Sequence, residues 1–216
     1  MRMSTTEPSK GLSLGVVILA AGASSRMGRP KLLLPWGHTS VIGHLLEQWR
    51  ALDNAKQIAV VCTEAARALL DELDRLEFPQ AQRIVNPQPE RGMFSSIQCA
   101  AKWDGWQPEL THWAISLGDQ PLVRTTTLRN VLECAATGPE SICQPSRNGR
   151  GRHPVILPAA VFARLRDCPD DNLKQFLAAT DLCVGRCEID DPGLDLDLDE
   201  PSDYRWAREL ALKNTP

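Results

Sequence analysis

The chain has 216 residues, of which 43% are hydrophobic and 24% are charged, and its formal net charge is −3. This length and apolar content predict one domain with a substantial core. The mild negative charge argues against a general nucleic-acid-binding protein, whose affinity rests on many Lys and Arg contacts to phosphate.

Residues 1–13 are polar and lack the apolar stretch of a secretory signal, and no run of about 18 apolar residues follows anywhere in the chain. We expect a flexible N-terminal segment over 1–13 and a single domain over 14–216. The protein is expected to be soluble and cytoplasmic, without a membrane or nucleic-acid partner.

The spacing of apolar residues predicts strands at 15–19, 58–62, 83–85, 112–117, 142–145, 153–157 and 183–189. It predicts helices at 41–52, 64–77, 95–103, 125–136, 158–166 and 172–180, and a closing helix from Pro201. Residues 146–152 read as a hairpin-like loop, and Ser40 as the N-cap of the first helix. This alternation predicts an α/β fold, a single-domain Rossmann-like three-layer sandwich with a mostly parallel sheet and helices on both faces.

A glycine-rich turn follows the first predicted strand, with the sequence Leu-Ala-Ala-Gly-Ala-Ser-Ser-Arg-Met-Gly-Arg-Pro-Lys at 19–31. Small residues let a base or a phosphate approach the backbone, and Arg26 and Lys31 can offset phosphate charge. The spacing fits neither a Walker A loop nor Gly-x-Gly-x-x-Gly. The candidate nucleotide-binding residues of this turn are Leu19, Ala20, Ala21, Gly22, Ser24, Arg26 and Lys31, with Gly28 completing the pattern.

Two acidic segments are candidates for holding a divalent cation. Asp119 directly follows a buried strand, a position that suits a metal ligand and equally a turn-forming Asp before proline. In the run 195–199, alternate positions place Asp195, Asp197 and Asp199 on one face if the segment is extended. The alternative is a solvated acidic edge strand that leads into a helix.

A long polar loop over 86–97 enters the third predicted helix. Gly92 permits close approach of a ligand, and Ser95 or Ser96 can cap the helix while their hydroxyls or backbone N–H groups point at the ligand. Capping alone is the alternative. Farther along, Arg152 and His153 are candidates for contacting an anionic second substrate. A structural role is favoured for His153, and a solvated loop is the default for the neighbouring arginines.

Seven cysteines are scattered through the chain, mostly in apolar surroundings, and they form no Cys-x-x-Cys motif. We therefore expect buried thiols rather than disulfides or a zinc site.

Five segments together resemble the ordered motifs of the molybdenum cofactor nucleotidyltransferases, whose fold is glycosyltransferase-A-like. They are 19–31, 86–97, Gly118-Asp119-Gln120-Pro121, His153-Pro154-Val155 and Asp197-x-Asp199-x-Pro201. The resemblance covers nearly the whole chain and implies an enzyme that transfers a nucleotide to the terminal phosphate of molybdenum-loaded molybdopterin, releasing pyrophosphate. Gly-Asp-Gln-Pro is closer to the cytidylyltransferase branch than to the guanylyltransferase branch, so CTP is favoured over GTP.

By this resemblance, the 19–22 turn and the Gly92, Ser95 and Ser96 loop hold the base and ribose, and Arg26 and Lys31 hold the phosphates. Asp119 and Asp199 hold Mg²⁺, with Asp197 as a further candidate ligand. Arg26, Lys31 and Asp119 are the implied catalytic residues. A molybdoenzyme or its chaperone is an implied recipient of the product.

The chain departs from the family pattern in its second half, where Arg152 precedes His153-Pro154 and Asp170-Asp171-Asn172-Leu173 replaces a Gly-Asp-x-Gly segment. Three alternatives therefore stay open: a guanylyltransferase on the same acceptor, a nucleotidyltransferase for a sugar or polyol phosphate, and a non-catalytic nucleotide or cofactor carrier.

Overall fold

The computed structural model describes residues 12–22 and 24–213. Of the N-terminal segment predicted over 1–13, residues 1–11 lie outside this range. Leu12 is buried, and Ser13 donates its backbone N–H to Thr111 Oγ1 at 3.1 Å. These two residues therefore belong to the domain rather than to the segment before it.

Ten strands and seven α-helices make up the described part of the chain. The strands are β1 (Leu14–Leu19), β2 (Pro35–Trp36), β3 (Thr39–Ser40), β4 (Ala55–Cys62), β5 (Arg83–Val85), β6 (His112–Leu117), β7 (Ile142–Arg147), β8 (Arg150–Gly151), β9 (Val155–Pro158) and β10 (Val184–Glu188). The helices are α1 (Val41–Arg50), α2 (Arg67–Arg75), α3 (Met93–Lys102), α4 (Thr125–Thr137), α5 (Ala159–Arg164), α6 (Leu173–Ala179) and α7 (Pro201–Lys213).

The main sheet has the strand order β10-β7-β9-β6-β1-β4-β5, and β8 pairs with β7 outside this path. β1 pairs in parallel with both β4 and β6, β4 with β5, and β10 with β7. β9 runs antiparallel between β6 and β7. The carboxyl ends of β1 and β6 therefore lie side by side at one edge of the sheet.

The core lies on both faces of this sheet because residues in β1 alternate in direction. Val16 and Ile18 pack with residues from α1, α2, α4 and α7, whereas Val17 packs with residues from α3, α5 and α6. This two-sided core, together with the mostly parallel sheet, confirms the predicted three-layer α/β fold.

Helix starts follow local chemistry at two places. Ser40 Oγ accepts a hydrogen bond from Gly43 N at 3.1 Å, which confirms the predicted N-cap of α1. α3 begins at Met93 after Gly92, whose φ of 85° lies in the left-handed region that favours glycine. The prediction that Ser95 or Ser96 caps this helix is wrong, since both residues lie inside it.

The second half of the sheet shows where sequence patterns misplace boundaries. The predicted hairpin over 146–152 is confirmed, with Arg147 paired to Arg150. β9 begins at Val155 rather than at residue 153, because Pro154 has no N–H to donate to a ladder.

The acidic run is not an edge strand. Residues Pro192–Asp195 form a 3₁₀ turn, and residues 196–199 follow without a strand partner in the described chain. Leu196 and Leu198 are buried between the exposed or half-exposed aspartates, so the predicted alternation survives without a β-ladder.

The expectation of free thiols alone is wrong for two cysteines. Cys134 on α4 and Cys187 on β10 form a disulfide, with Cα atoms 6.8 Å apart. Because α4 packs directly over β7 and β10, it brings together residues that are 53 positions apart in the chain.

None of the helices in the described residues combines the length and the apolar character needed to cross a membrane.

Candidate active site

The first part of the site lies where β1 and β6 end. Gly118 N donates to Leu19 O at 3.0 Å, which holds the two strand ends together. A Cβ on Gly118 would lie 2.6 Å from Leu19 O, so only glycine permits this close approach. Lys31 and Asp119 lie in the loops that follow these two strands, in agreement with ligand binding at carboxyl ends in α/β sheets.

Lys31 bridges two carboxylates that are distant in sequence. Its Nζ lies 2.5 Å from Asp119 Oδ2 and 3.2 Å from Asp199 Oδ1. The Lys31 side chain is 13% exposed and that of Asp119 is 20% exposed. Three residues from three segments thus meet in a partly buried position.

Arg26 joins the same group through Asp199, with Nη2 2.8 Å from Oδ2. The Arg26 side chain is 65% exposed, so its guanidinium borders solvent while Lys31 lies deeper. We refer to Arg26, Lys31, Asp119 and Asp199 as the charged cluster. Its two positive and two negative charges balance. Each carboxylate contacts a basic side chain that could contact a phosphate instead.

The charges in the cluster set the protonation of its members. Burial alone would lower the pKa of Lys31, but the charges and hydrogen bonds of Asp119 and Asp199 outweigh it and raise that pKa. Burial would likewise raise the pKa of Asp199, and the contacts with Lys31 and Arg26 instead hold it below its usual value. Lys31 and Asp199 are therefore both ionised near neutral pH.

Asp197 lies beside this cluster rather than in it. Its Oδ1 accepts a hydrogen bond from Gln120 Nε2 at 2.7 Å. Although Asp197 is exposed as a residue, partial desolvation of its carboxyl group, together with the charges of Asp119 and Asp199, raises its pKa. Asp195, the third acidic residue of the run, points elsewhere and contacts the hairpin arginines instead.

The donor set of the cluster fits a hard divalent cation. Asp119 and Asp199 supply carboxylate oxygens from separate segments, and both approach the same Lys31 nitrogen, so one ion could reach both. Mg²⁺ typically takes one or two carboxylates and completes its shell with water and substrate phosphates. Asp119 and Asp199 are the residues that would hold such an ion, and Asp197 lies near enough to influence it electrostatically.

The glycine-rich turn is held by its own backbone contacts. Ala20 N donates to Val61 O at 2.8 Å, and Ser24 Oγ accepts from Lys31 N at 3.3 Å. Ala20 is buried, Ala21 and Leu19 are half-buried, and Gly22 is exposed. The turn therefore closes on itself and presents the backbone near Gly22 to solvent.

The Gly92 loop is fixed by a buried polar network. Asn86 Nδ2 lies 2.8 Å from Ser95 Oγ and 2.9 Å from Ser96 Oγ, and Ser95 Oγ donates to Gly92 O at 2.7 Å. Both serines are at least 95% buried. The hydroxyls therefore face the protein and hold Gly92 and the start of α3 in place, and binding of a ligand by Ser95 or Ser96 stays a prediction for their backbone N–H groups.

A cleft of about 770 Å³, which we call the cationic cleft, lies next to the start of α3, directly after this loop. It lies among the β7–β8 hairpin, α6, β10 and the first residue of α3, Met93. Leu173, Leu177 and Val184 give it apolar walls, whereas its cationic lining comes from Arg150, Arg152, Lys174 and Arg186. None of its lining residues is acidic. Such a cleft suits an anionic ligand that also has an apolar part.

Arg152 and His153 line this cleft, but the side chains of both form contacts with other residues of the protein. Arg152 Nε donates to Asp195 Oδ1 at 2.6 Å, and Arg147 Nη1 donates to Asp195 Oδ2 at 2.6 Å. His153 Nδ1 lies 3.2 Å from Ile115 O. Burial lowers the pKa of His153, and the Ile115 carbonyl and the Asp119 charge oppose this only weakly. The structural role favoured for His153 agrees with this contact.

Two cleft residues carry no sequence motif. Among the described carboxylates, none lies within ion-pair distance of Lys174, and Arg186 Nη1 donates to Gly149 O at 3.1 Å. The only available signal for Arg186 is the alternation of the strand, which places it on the same face as Val184. Lys174 lies in the first turn of α6, after the Asn172 N-cap.

Comparison with known proteins gives one family and several relatives. The family model described as a MobA-like NTP transferase domain matches residues 16–183. A molybdenum cofactor cytidylyltransferase of Escherichia coli is 25% identical over 198 residues, which cover 91% of this chain and 96% of that protein. The bifunctional protein GlmU of Leifsonia xyli is 35% identical over 129 residues, but these span only 26% of its length.

Solved structures agree with this assignment. The protein Rv0371c of Mycobacterium tuberculosis is 27% identical, with a TM-score of 0.74 over 91% of this chain and 98% of that one. A second structure of Rv0371c is a complex with manganese, 25% identical over the same shares of the two chains, with a TM-score of 0.70. The predicted family is thereby confirmed: the chain belongs to the MobA-like NTP transferase family and is a nucleotidyltransferase.

Proposed function

We propose that this protein transfers a cytidylyl group from CTP to the terminal phosphate of molybdenum-loaded molybdopterin and releases pyrophosphate. The observation that carries the proposal is the charged cluster, in which Lys31 Nζ lies 2.5 Å from Asp119 and 3.2 Å from Asp199. A protein that only binds a nucleotide has no need for two carboxylates from distant segments on one lysine. The cluster therefore favours phosphoryl chemistry over a carrier role.

Nucleotide binding would exchange the partners within the cluster. Lys31 and Arg26 would move from the carboxylates to the triphosphate oxygens, which leaves Asp119 and Asp199 free to hold Mg²⁺. When bound, Mg²⁺ neutralises negative charge on the phosphates. Because the cluster is neutral beforehand, this exchange brings in an ion and an anion without leaving an unpaired protein charge.

The transfer step needs positioning more than acid–base help. An oxygen of the acceptor phosphate bonds to the α-phosphorus, and the bond from that phosphorus to the pyrophosphate oxygen breaks. The attacking oxygen is already anionic, so no general base is required. Lys31 and Arg26 would stabilise the charge that develops on the phosphates.

The acceptor would occupy the cationic cleft. Arg150, Lys174 and Arg186 supply positive charge for its phosphate, and apolar side chains from α6 and β10 supply a surface for a flat ring system. The start of α3 at Met93 borders both this cleft and the Gly92 loop. The two substrates would therefore meet at this loop, and the product would pass to a molybdoenzyme or its chaperone.

CTP is supported by the Gly118-Asp119-Gln120-Pro121 motif and by the name of the Escherichia coli relative. The experiment is pyrophosphate release with Mg²⁺ and each of CTP, GTP, ATP and UTP, with and without molybdenum-loaded molybdopterin. Release with CTP only when the pterin is present is the expected result. A preference for GTP would move the protein to the guanylyl branch, and release that never depends on the pterin would overturn the acceptor.

A further inference from the structure

Three cysteines from three different elements meet beneath the edge of the sheet. Cys134 lies on α4, Cys143 on β7 and Cys187 on β10, and their sulfur atoms all lie within 4.8 Å of one another. Cys134 and Cys187 form the disulfide, and Cys143 Sγ lies 3.5 Å from Cys187 Sγ. Cys143 is buried, whereas the other two are half-buried and border solvent.

This group lies on the opposite face of the sheet from the cationic cleft. Residues alternate in direction along a strand, so Cys187 points away from Val184 and Arg186, which line the cleft. The same holds on β7, where Cys143 joins the core beneath α4 and Gln144 lines the cleft. Among the described strands, β10 is at the edge of the main sheet and pairs with β7 alone.

The surroundings favour a neutral disulfide over a bound metal. Burial raises the pKa of Cys143 to about 11, and no neighbouring positive charge offsets it. Three thiolates around a divalent ion would carry a net negative charge into this apolar region. A disulfide carries no charge, and a Cα separation of 6.8 Å lies within the range that a disulfide spans.

We propose that Cys134, Cys143 and Cys187 form a redox modification site, where a peroxide-class oxidant closes the Cys134–Cys187 bond and fixes β10 against α4. Under reducing conditions the bond opens, and β10 keeps its ladder with β7, the Arg186 contact with Gly149 and its noncovalent packing against α4. The redox state of these cysteines therefore determines whether the strand that carries Arg186 is covalently held to α4.

The oxidation balances with one peroxide. One of the two half-buried thiols, as its thiolate, attacks an oxygen of hydrogen peroxide; the O–O bond breaks, and the sulfur becomes a sulfenic acid. The hydroxide that leaves takes up the proton that the thiol released and becomes water. The other sulfur attacks this sulfur, the S–O bond breaks and water leaves. The two sulfurs together lose two electrons, and the peroxide gains them and ends as two water molecules.

Cys143 is the third thiol of this site and can exchange with the disulfide. As a thiolate, it could attack Cys187 Sγ and release Cys134 as the leaving thiolate, with no net oxidation. Its raised pKa keeps it protonated near neutral pH, so this exchange is slow. When Cys134 is removed, Cys143 is the sulfur of the group that remains beside Cys187, with the two Sγ atoms 3.5 Å apart, so the oxidised bond should form between these two.

The first test maps the bond in the full-length protein. The protein is reduced, treated with hydrogen peroxide, alkylated, digested and analysed by mass spectrometry. The expected product links the peptides of Cys134 and Cys187, while Cys143 remains alkylatable. Absence of this link after peroxide, or stoichiometric zinc that protects all three thiols in the reduced protein as purified, would overturn the proposal.

Two variants sharpen the test. In Cys134→Ser, the link should form between Cys143 and Cys187, and at least severalfold more slowly. Cys183→Ser is the matched control, because Cys183 is exposed and outside the group, and it should leave the wild-type link intact. A Cys134→Ser protein that links Cys187 equally to distant cysteines would contradict the site.

The effect on β10 is measured without relying on catalysis. Hydrogen exchange at Val184–Glu188 should be severalfold slower in the peroxide-treated protein than in the reduced one, and equal in both for Cys134→Ser with Cys143→Ala. Equal exchange in wild type would refute the fixing of β10. Only the further expectation that oxidation changes the KM for the acceptor rests on the proposed function, so inactivity of the enzyme would not affect the mapping or the exchange result.

Discussion

The charged cluster and the cationic cleft are built in different ways. Lys31 and Asp119 lie in loops that directly follow two neighbouring parallel strands, so the order of the sheet brings them together. The cleft instead collects residues from a hairpin, a short helix and an edge strand, none of which contributes a contiguous motif. A site formed at strand ends can be predicted from local sequence, whereas a site formed between layers depends on packing.

The largest expected effect distinguishes the cluster from the rest of the acidic surface. Asp119→Asn should lower kcat on the order of 10²- to 10³-fold, because the neutral amide no longer balances Lys31 or holds a cation. Steady-state pyrophosphate release measures this loss. Asp190→Asn is the matched control, since the Asp190 side chain is 91% exposed and contacts only the hairpin. Equal activity of the two variants would break the assignment of Asp119.

The next effect concerns Lys31, whose ammonium group contacts both carboxylates of the charged cluster. Lys31→Met should lower kcat/KM for the nucleotide about 10²-fold. The methionine can neither contact the two carboxylates nor offer a positive charge to the triphosphate. Titration of activity with Mg²⁺ checks the assignment, and the Mg²⁺ concentration for half-maximal activity should also change. Lys56→Met, at an exposed position on β4, serves as the control. An unchanged Mg²⁺ dependence together with unchanged kcat/KM would contradict the cluster.

A smaller effect should separate the cleft from the cluster. Arg186→Gln removes one positive charge from the cleft, and we expect the KM for the acceptor to rise about tenfold while the KM for the nucleotide stays the same. Kinetics with each substrate varied in turn measure both constants. Arg129→Gln, exposed on α4, is the control. A rise in the nucleotide KM instead would mean that the two regions are not separate sites.

The smallest effect concerns how the stability of the protein depends on pH through His153, which lines the cleft and lies near Asp119 of the cluster. His153 has a pKa below 6.5 when folded because burial disfavours its charge, so the unfolded chain binds more protons as pH falls through 6.5. The stability that His153 contributes is present above that pH and is lost as pH falls toward the folded pKa. His153→Asn keeps a donor for Ile115 O but cannot titrate. Its melting temperature should fall less steeply than that of wild type over this window, and identical slopes would contradict the effect.

Sequence patterns predicted the fold and the cluster better than the cleft. The strand at 112–117 and the N-cap at Ser40 followed from period and capping chemistry. The motifs brought Asp119 and Asp199 into one site, where both contact Lys31, and their role as metal ligands stays a prediction. The inward turn of Ser95 and Ser96 did not, because it depends on Asn86, whose buried amide reaches both hydroxyls. The role of each serine was decided by a tertiary contact.

The same limit explains the acidic run and the cysteines. Asp195, Asp197 and Asp199 share an alternating pattern, yet each contacts a different partner: the hairpin arginines, Gln120, and Lys31 with Arg26. Period alone cannot assign partners that lie in other layers. Cys134 and Cys187 meet only because α4 covers the edge of the sheet, and nothing in their spacing signals this contact.

In the proposed function, the charged cluster supports transfer of a nucleotidyl group to an acceptor phosphate. The most direct measurement follows a label on the α-phosphorus of CTP in the presence of Mg²⁺ and molybdenum-loaded molybdopterin. We expect the label to appear in a pterin product and to be absent from pyrophosphate, and we expect Asp119→Asn to abolish this transfer. Label recovered only in CMP or unreacted CTP would contradict it.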